Sequence, residues 1–269
     1  MTSLRFVLPP SLGESKAGDL AARLQGYLTE HMGDSVTVYV APDYAAIEDD
    51  LLFGSADVAW GPPFVCARLQ AAGGRFLLHA VRSGASRYRA GMICRKAEEP
   101  DLTDVTGLRV AWVSPDSTAG YLLPRQWLRD RGIDADSAFT TVSFLGSYQA
   151  AVRAVMDDEA DITAVFASVH DADKAHSGLD ELSEEAREKL EIFAYTAERL
   201  NDGIVFAPDC ERLVLEEVRD LLKNAHTSDA GREVLRSVFN ADQLVPTETA
   251  AYNAMYETSD PNLAAPGGD

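Results

Sequence analysis

A two-lobed α/β protein with a small-molecule cleft between its lobes is the expectation, and three observations carry it. Segments with the apolar period of a strand and of a helix alternate along nearly the whole chain. The chain has 269 residues, enough for two lobes of roughly 100–150 residues each. The alternating style runs through one stretch, is broken by the polar turn Ser83-Gly84-Ala85-Ser86, and then resumes.

The first strand is 4–8, five residues from Leu4 to Leu8 that are apolar apart from Arg5. Leu20, Leu24 and Leu28 then recur at i, i+4 and i+8, one apolar stripe on a helix over 11–32 that Gly33 ends. A strand follows at 36–40. Asp43 stands where its carboxylate would cap a helix reaching Phe53-Gly54. A short strand at 57–60 enters Gly61-Pro62-Pro63 and a helix over 64–72, and 76–81 and 90–95 are strands. In the second stretch, strands at 108–113, 140–144 and 161–166 alternate with helices. One helix opens from the loop 114–120 and runs to about 131, and another covers 147–156. A helix over 181–190, strands at 192–195 and 204–206, and helices over 211–224, 229–239 and 247–256 complete the series. The tail 266–269 is expected to lack structure. Such alternation predicts mainly parallel sheets covered on both faces. The lobes are expected over 1–86 with 198–269 and over 87–197, with two crossovers as the hinge.

Forty-three acidic residues against 24 basic ones give a formal charge of −19. That surface repels phosphate backbones and anionic lipid, so neither nucleic acid nor a membrane surface is an expected partner. No apolar run reaches the roughly 18–20 residues of a spanning helix, so no membrane insertion is expected. Met1-Thr2-Ser3 leads directly into the first strand. With Met1 as the native start the protein is expected to be cytoplasmic; with a leader removed, periplasmic or extracellular. Cys66, Cys94 and Cys210 lie far apart, which excludes a CxxC pair and argues against a disulfide framework or a zinc knuckle. No HExxH, GxSxG, GxGxxG or P-loop pattern occurs, and the acidic runs 157–161 and 181–191 lack the spacing of an EF-hand. Neither a metal nor a cofactor is expected.

The segment richest in chemistry is Val113-Ser114-Pro115-Asp116-Ser117-Thr118-Ala119-Gly120-Tyr121. A strand enters a small polar loop that opens a helix. The first N–H groups of a helix lack intrahelical acceptors and the macrodipole favours negative charge there, so an oxyanion is a natural guest. The alternative is that Ser117 merely caps the helix. Tyr44, Trp60, Phe64, Tyr88 and Tyr148 are candidates for an aromatic wall, with Phe64 better placed as core. Arg82 and Arg89 flank the presumed crossover, as a source of positive charge or as salt-bridge partners across the lobes. His79, in an apolar strand, reads as a core residue. His170, just past the strand 161–166, is a candidate for the cleft.

Taken together, several segments resemble the substrate-binding proteins of phosphate, phosphite and phosphonate ABC transporters. They are Pro42-Asp43-Tyr44, Ala56-Asp57-Val58-Ala59-Trp60-Gly61-Pro62, Tyr88 after Arg82-Ser83-Gly84, and Asp104-Val105-Thr106-Gly107-Leu108-Arg109-Val110. Asp116-Ser117-Thr118-Ala119-Gly120, Leu123-Pro124, Phe144-Leu145-Gly146-Ser147-Tyr148 and Ala160-Asp161-Ile162 extend the likeness over roughly 4–210. The resemblance implies the type II periplasmic-binding fold. It also implies a small oxyanion ligand, phosphonate- or phosphate-like or a carboxylate, and a permease partner if the protein is exported. By the same resemblance Ser117, Thr118, Tyr44 and Tyr88 are ligand contacts. Ala119 replaces the family's third loop hydroxyl, and Tyr148 stands where the family has histidine. These two departures open the site to a carboxylate, a monoanion or a larger organic ligand. The competing reading is a cytoplasmic enzyme on the same fold, of lyase, dehydratase or biosynthetic type, with Tyr148 or His170 as a proton donor and no catalytic residue assigned.

Overall fold

A computed structural model describes residues 3–10, 14–33, 35–168 and 184–247. In chain order it contains β1 (Leu4–Leu8), α1 (Glu14–Met32), β2 (Val36–Val40), α2 (Tyr44–Leu52), β3 (Val58–Gly61), α3 (Pro63–Ala71), β4 (Arg75–Val81) and β5 (Arg87–Arg95). Next come β6 (Arg109–Trp112), α4 (Leu123–Arg129), β7 (Thr141–Phe144), α5 (Tyr148–Met156), β8 (Thr163–Ser168), α6 (Glu184–Lys189) and β9 (Leu190–Tyr195). The series closes with β10 (Arg199–Leu200), β11 (Gly203–Phe206), α7 (Arg212–Asn224), α8 (Asp229–Val238) and β12 (Gln243–Pro246). Two compact units result, one drawn from Met1–Ser86 with Leu200–Asp269, the other from Arg87–Arg199.

The first unit is built on a six-stranded sheet ordered β12-β4-β11-β3-β1-β2. Helix α1 buries Ala21, Leu24, Tyr27 and Leu28 on one face, as its leucine spacing requires. Asp43 caps α2 as expected, its Oδ1 accepting the Ala46 N–H at 2.8 Å. The fully buried Phe6, Phe76, Phe206 and Phe239 fill the core with Leu24, Leu28, Ile47 and Leu51.

The expectation of mainly parallel sheets is overturned. β1 pairs in parallel with β2 and β3, but β11 runs antiparallel to both β3 and β4, and β12 antiparallel to β4. The chain leaves this unit after β4 and re-enters through β11 in the opposite sense. Periodicity distinguishes a strand from a helix and carries no direction. β12 itself was not expected: it is four residues ending in Pro246, and Thr247 extends the pairing by donating its N–H to Leu77 O at 2.9 Å. The helix expected over 247–256 otherwise lies outside the described residues.

In the second unit β5 is central, antiparallel to β8 and β9, with β10 in the same sheet. β6 and β7 are a parallel pair, and Val110 bridges to Ile162 just before β8. One face of this assembly packs Met92, Trp112, Tyr121, Leu128 and Ala164; the other packs Ile93, Val113, Ala151, Val155 and Val165 beneath α5. The strand expected at 161–166 starts two residues later, because Asp161 and Ile162 donate their N–H groups to Arg109 O. Asp161 also receives the Arg109 backbone N–H at 2.8 Å and both arms of its guanidinium, and Arg95 Nη2 at 3.0 Å. The Arg109 bonds, against the opposing effect of partial burial, hold the Asp161 carboxyl well below the usual carboxylate range.

A folded-state pKa below the unfolded one stabilises above the unfolded value of about 3.9, and the contribution fades as pH falls toward the folded value. Asp161→Asn is therefore expected to cost about 1–2 kcal/mol at pH 7 and to flatten the acid-side loss of stability. Urea melts of both proteins between about pH 2 and pH 7 check this, since an unchanged acid limb would remove Asp161 as its source.

Among the described residues no helix is long and apolar enough to cross a membrane. All three cysteines are buried and unpaired, and burial pushes the Cys66 thiol up, away from reactivity. His79 is a buried residue bonded through Nδ1 to Thr247 Oγ1 at 2.8 Å. Arg82 and Arg89, read from the sequence as sources of positive charge or as partners across the lobes, each have contacts within their own unit. Arg82 bonds Asp202 and the carbonyls of Phe239 and Asn240, all in its own unit, while Arg89 stacks over the ring of Tyr195 at 3.8 Å in the other.

Candidate functional site

The site is assembled where the parallel strands β6 and β7 end. Beyond β7, Leu145 donates its N–H to Trp112 O at 3.0 Å and Gly146 to Val113 O at 2.7 Å, which holds the two following loops side by side. Gly146, at φ 80°, makes the turn that only glycine takes without strain. Ser147 then caps α5, its Oγ accepting the Ala150 N–H at 3.2 Å. In the neighbouring loop Ser117 Oγ accepts the Gly120 N–H at 3.1 Å. Two capped helix starts thus stand at the C-terminal ends of adjacent parallel strands, where open α/β sheets offer N–H groups to ligands.

The second of these starts is not the α-helical turn the sequence predicts. Thr118–Leu122 is a π-turn, in which Leu122 donates to Ser117 O at 3.0 Å and Leu123 to Thr118 O. Pro124 supplies the local reason: it has no N–H, so an α-helical bond to Gly120 O is impossible. That carbonyl accepts the Val113 N–H at 3.3 Å instead, tying the turn back to the end of β6. Such π-turns within helices recur at functional sites.

Thr118 sits at the head of this turn, 8% exposed, and its Oγ1 is buried without a hydrogen-bond partner. A buried hydroxyl left without an acceptor costs about 1–3 kcal/mol, and one supplied with an acceptor recovers that amount. The N–H groups of Thr118 and Ala119 occupy the first helical positions, for which a helix provides no acceptor. Behind Ala119 lie Ala90 and Leu123, with Tyr88, Tyr148 and Phe166 packed around them. Tyr148 OH stands 3.5 Å from Ser117 Oγ, too long for a full hydroxyl hydrogen bond and close enough that both face one point. The Tyr148 ring meets Phe166 edge-on at 6.1 Å. Three hydroxyls and two helix N–H groups beside an apolar wall can grip an oxyanion by neutral donors and seat a short apolar substituent against aromatic rings.

Of the residues singled out from sequence, the fold brings Ser117, Thr118, Ala119, Tyr148 and Tyr88 together in the second unit. Tyr44 and Trp60 belong to the first. Tyr44 opens α2, half-buried and edge-on to Phe64 at 5.2 Å. Trp60 is 3% exposed on β3, its ring 4.9 Å from Phe239. Phe64 is buried, as its core reading anticipates. His170 lies outside the described residues. Sequence reasoning did not select Phe166 and Leu123. Phe166 faces the site because it pairs with Ala90 in the antiparallel β5–β8 ladder, a long-range register that no local pattern carries.

Comparison with known proteins adds three findings. Residues 6–252 match the family model described as "ABC transporter, phosphonate, periplasmic substrate-binding protein". A curated relative, the phosphate-import protein PhnD of Mycolicibacterium smegmatis, is 28% identical over 156 residues, 54% of this chain and 49% of the relative. The chain spans about half the length of the curated relative it matches. Among solved structures, a binding-protein component of a Pseudomonas aeruginosa phosphonate ABC transporter superposes with a TM-score of 0.72 at 18% identity, covering 99% of this chain and 90% of the other. PhnD1 of Prochlorococcus marinus, solved with methylphosphonate, superposes at 0.73 and 18% identity over 95% and 96% of the two chains. At such identity these likenesses concern the fold, which is the two-lobed α/β type II periplasmic-binding architecture.

Proposed function

Because this chain belongs to the family of periplasmic substrate-binding proteins of phosphonate ABC transporters, we propose that it is a solute receptor for a small phosphorus oxyanion. The observation that carries this reading is the buried, unpartnered Thr118 hydroxyl at the head of the helix, beside the Ser117 and Tyr148 hydroxyls. Ser117, Thr118 and the first N–H groups of the turn bind the oxygens; Tyr148 adds a phenolic donor, and Tyr88 and Ala119 bound the apolar side. Tyr44 is the ligand-contact candidate of the first unit, whereas Trp60, buried against Phe239, is better read as core. The receptor acts outside the cytoplasm and delivers its ligand to a membrane permease, as the family assignment implies. The lyase alternative draws no support from the comparisons, and Tyr148 serves here as a donor to the ligand rather than as an acid in a reaction.

A calorimetric panel of phosphate, phosphite, methylphosphonate, aminoalkylphosphonates, sulfate and acetate tests the reading. A phosphorus oxyanion at about 100 times its Kd adds about 2.7 kcal/mol of stability, a shift of several degrees in Tm. Binding by carboxylates alone, or by none of the panel, would overturn it.

The charge of −19 adds a kinetic expectation. A like-charged protein repels an incoming anion over a Debye length, so raising ionic strength from about 10 to 150 mM should increase kon a few-fold. Stopped-flow association is the measurement. A falling kon would mean that a cationic funnel outweighs the net charge.

A further inference from the structure

The π-turn that presents Thr118 is held by something other than its own backbone. Its fourth residue, Tyr121, is buried, with its ring edge-on to Phe144 at 5.0 Å and tilted against Trp112 at 5.9 Å. Phe144 and Trp112 are the last residues of β7 and β6, so the ring is wedged between the two strand ends from which both site loops depart. The Tyr121 hydroxyl donates to Asp136 Oδ1, and the other oxygen of that carboxylate accepts from Arg125 Nε at 3.2 Å, one turn further along the same helix. Asp136 is itself set in a tight turn, its N–H donating to Asp134 Oδ1 at 3.1 Å. Burial, together with the carboxylate, pushes the Tyr121 phenol up to about 12, so the donor stays protonated at working pH.

Resting on the site reading above, we propose that Tyr121 and Asp136 form a tether that positions the oxyanion-binding turn. Neither residue touches the ligand. Both act by locking the turn in its π register, which fixes where the Thr118 hydroxyl and the first N–H groups are aimed. A π-turn is a rare alternative to the α-helical turn, and Pro124 accounts only for the missing bond at Gly120 O. With its side-chain tether cut, the turn is free to relax toward 3₁₀ or α geometry and move Thr118 off its aim.

The test combines variants with two readouts. Tyr121→Phe keeps the ring in its wedge and removes only the hydroxyl; it is expected to raise the Kd for methylphosphonate about tenfold, in line with losing alignment of charge-assisted bonds. Asp136→Asn retains a carbonyl acceptor for the phenol and should rescue binding to within about threefold of wild type, whereas Asp136→Ala behaves like Tyr121→Phe. In a Ser117→Ala/Thr118→Ala background the effect of Tyr121→Phe should shrink to about threefold or less, because of the groups it positions only the backbone N–H donors remain. A purely structural role predicts the same loss in both backgrounds, and that additivity would overturn the proposal, as would an unchanged Kd in Tyr121→Phe. Amide hydrogen exchange in the ligand-free protein is the second readout. Tyr121→Phe should speed exchange over 118–123 and leave 148–152 at the start of α5 unchanged; equal protection at 118–123 would overturn the tether. Because the exchange readout requires no ligand, failure of the oxyanion reading and failure of the tether are separately visible.

Discussion

Gly120→Ala is expected to abolish oxyanion binding, raising the Kd by at least about 100-fold, since it displaces two or more ligand donors at once. A Cβ at this position would stand 2.4 Å from Val113 Cγ2, 2.6 Å from Val113 Cβ and 2.7 Å from Ser117 Oγ. Val113 is buried, β-branched and packed against α5, so it cannot turn aside. The turn must move instead, carrying Ser117 and Thr118 with it and breaking the bond from Val113 N–H to Gly120 O. Overpacking of this kind also costs about 1–3 kcal/mol of stability. Gly107→Ala, where a Cβ meets nothing within 4 Å, is the control expected to leave binding and melting unchanged. Calorimetric titration and thermal melts of the two variants decide the matter: a Gly120→Ala protein that binds normally would mean that the turn is not the ligand loop.

Replacing both hydroxyls, as Ser117→Ala with Thr118→Ala, should weaken oxyanion binding at least tenfold, at about 1.5–3 kcal/mol per charge-assisted bond. The single substitutions are expected to part company in the ligand-free protein. Ser117→Ala removes a cap that accepts the Gly120 N–H and should cost about 1 kcal/mol. Thr118→Val removes only a buried hydroxyl that has no partner, so it should leave the free protein as stable or up to about 1 kcal/mol more so, while binding weakens. That opposition of stability and affinity separates a ligand-facing hydroxyl from a structural one. Thermal melts with and without methylphosphonate measure both quantities in the same samples. A Thr118→Val protein that loses stability and keeps its affinity would place Thr118 in the scaffold and sink the assignment.

Most of the elements and their order were legible in the sequence because strand and helix periods are local, while β12 and the π-turn were not. The leucine stripe of α1 and the Asp43 cap each depend on residues within a few positions of one another. The loop at 113–121 was legible for the same reason: a strand, a run of small polar residues and a helix start follow one another in the sequence. Whether Ser117 capped the helix or held a ligand could not be read locally. In the structure Ser117 is the cap, and the Thr118 hydroxyl beside it is buried without a partner, which is why the proposed ligand contact rests on Thr118.

Strand direction, register and the partners of distant side chains come from the packing of each unit. β11 returns between β3 and β4 against their grain because the chain has passed through another unit and come back, and no periodicity records that. Phe166 reaches the site through its pairing with Ala90, and Tyr121 finds Asp136 fifteen residues away across a turn. The π register of 118–122 required Pro124 to withhold a hydrogen bond and Val113 to supply one from a strand already in place. The strand pairings and the Tyr121–Asp136 bond join segments that the chain does not bring together locally. Their geometry is set by the packing of the whole unit and by which buried polar groups it leaves satisfied.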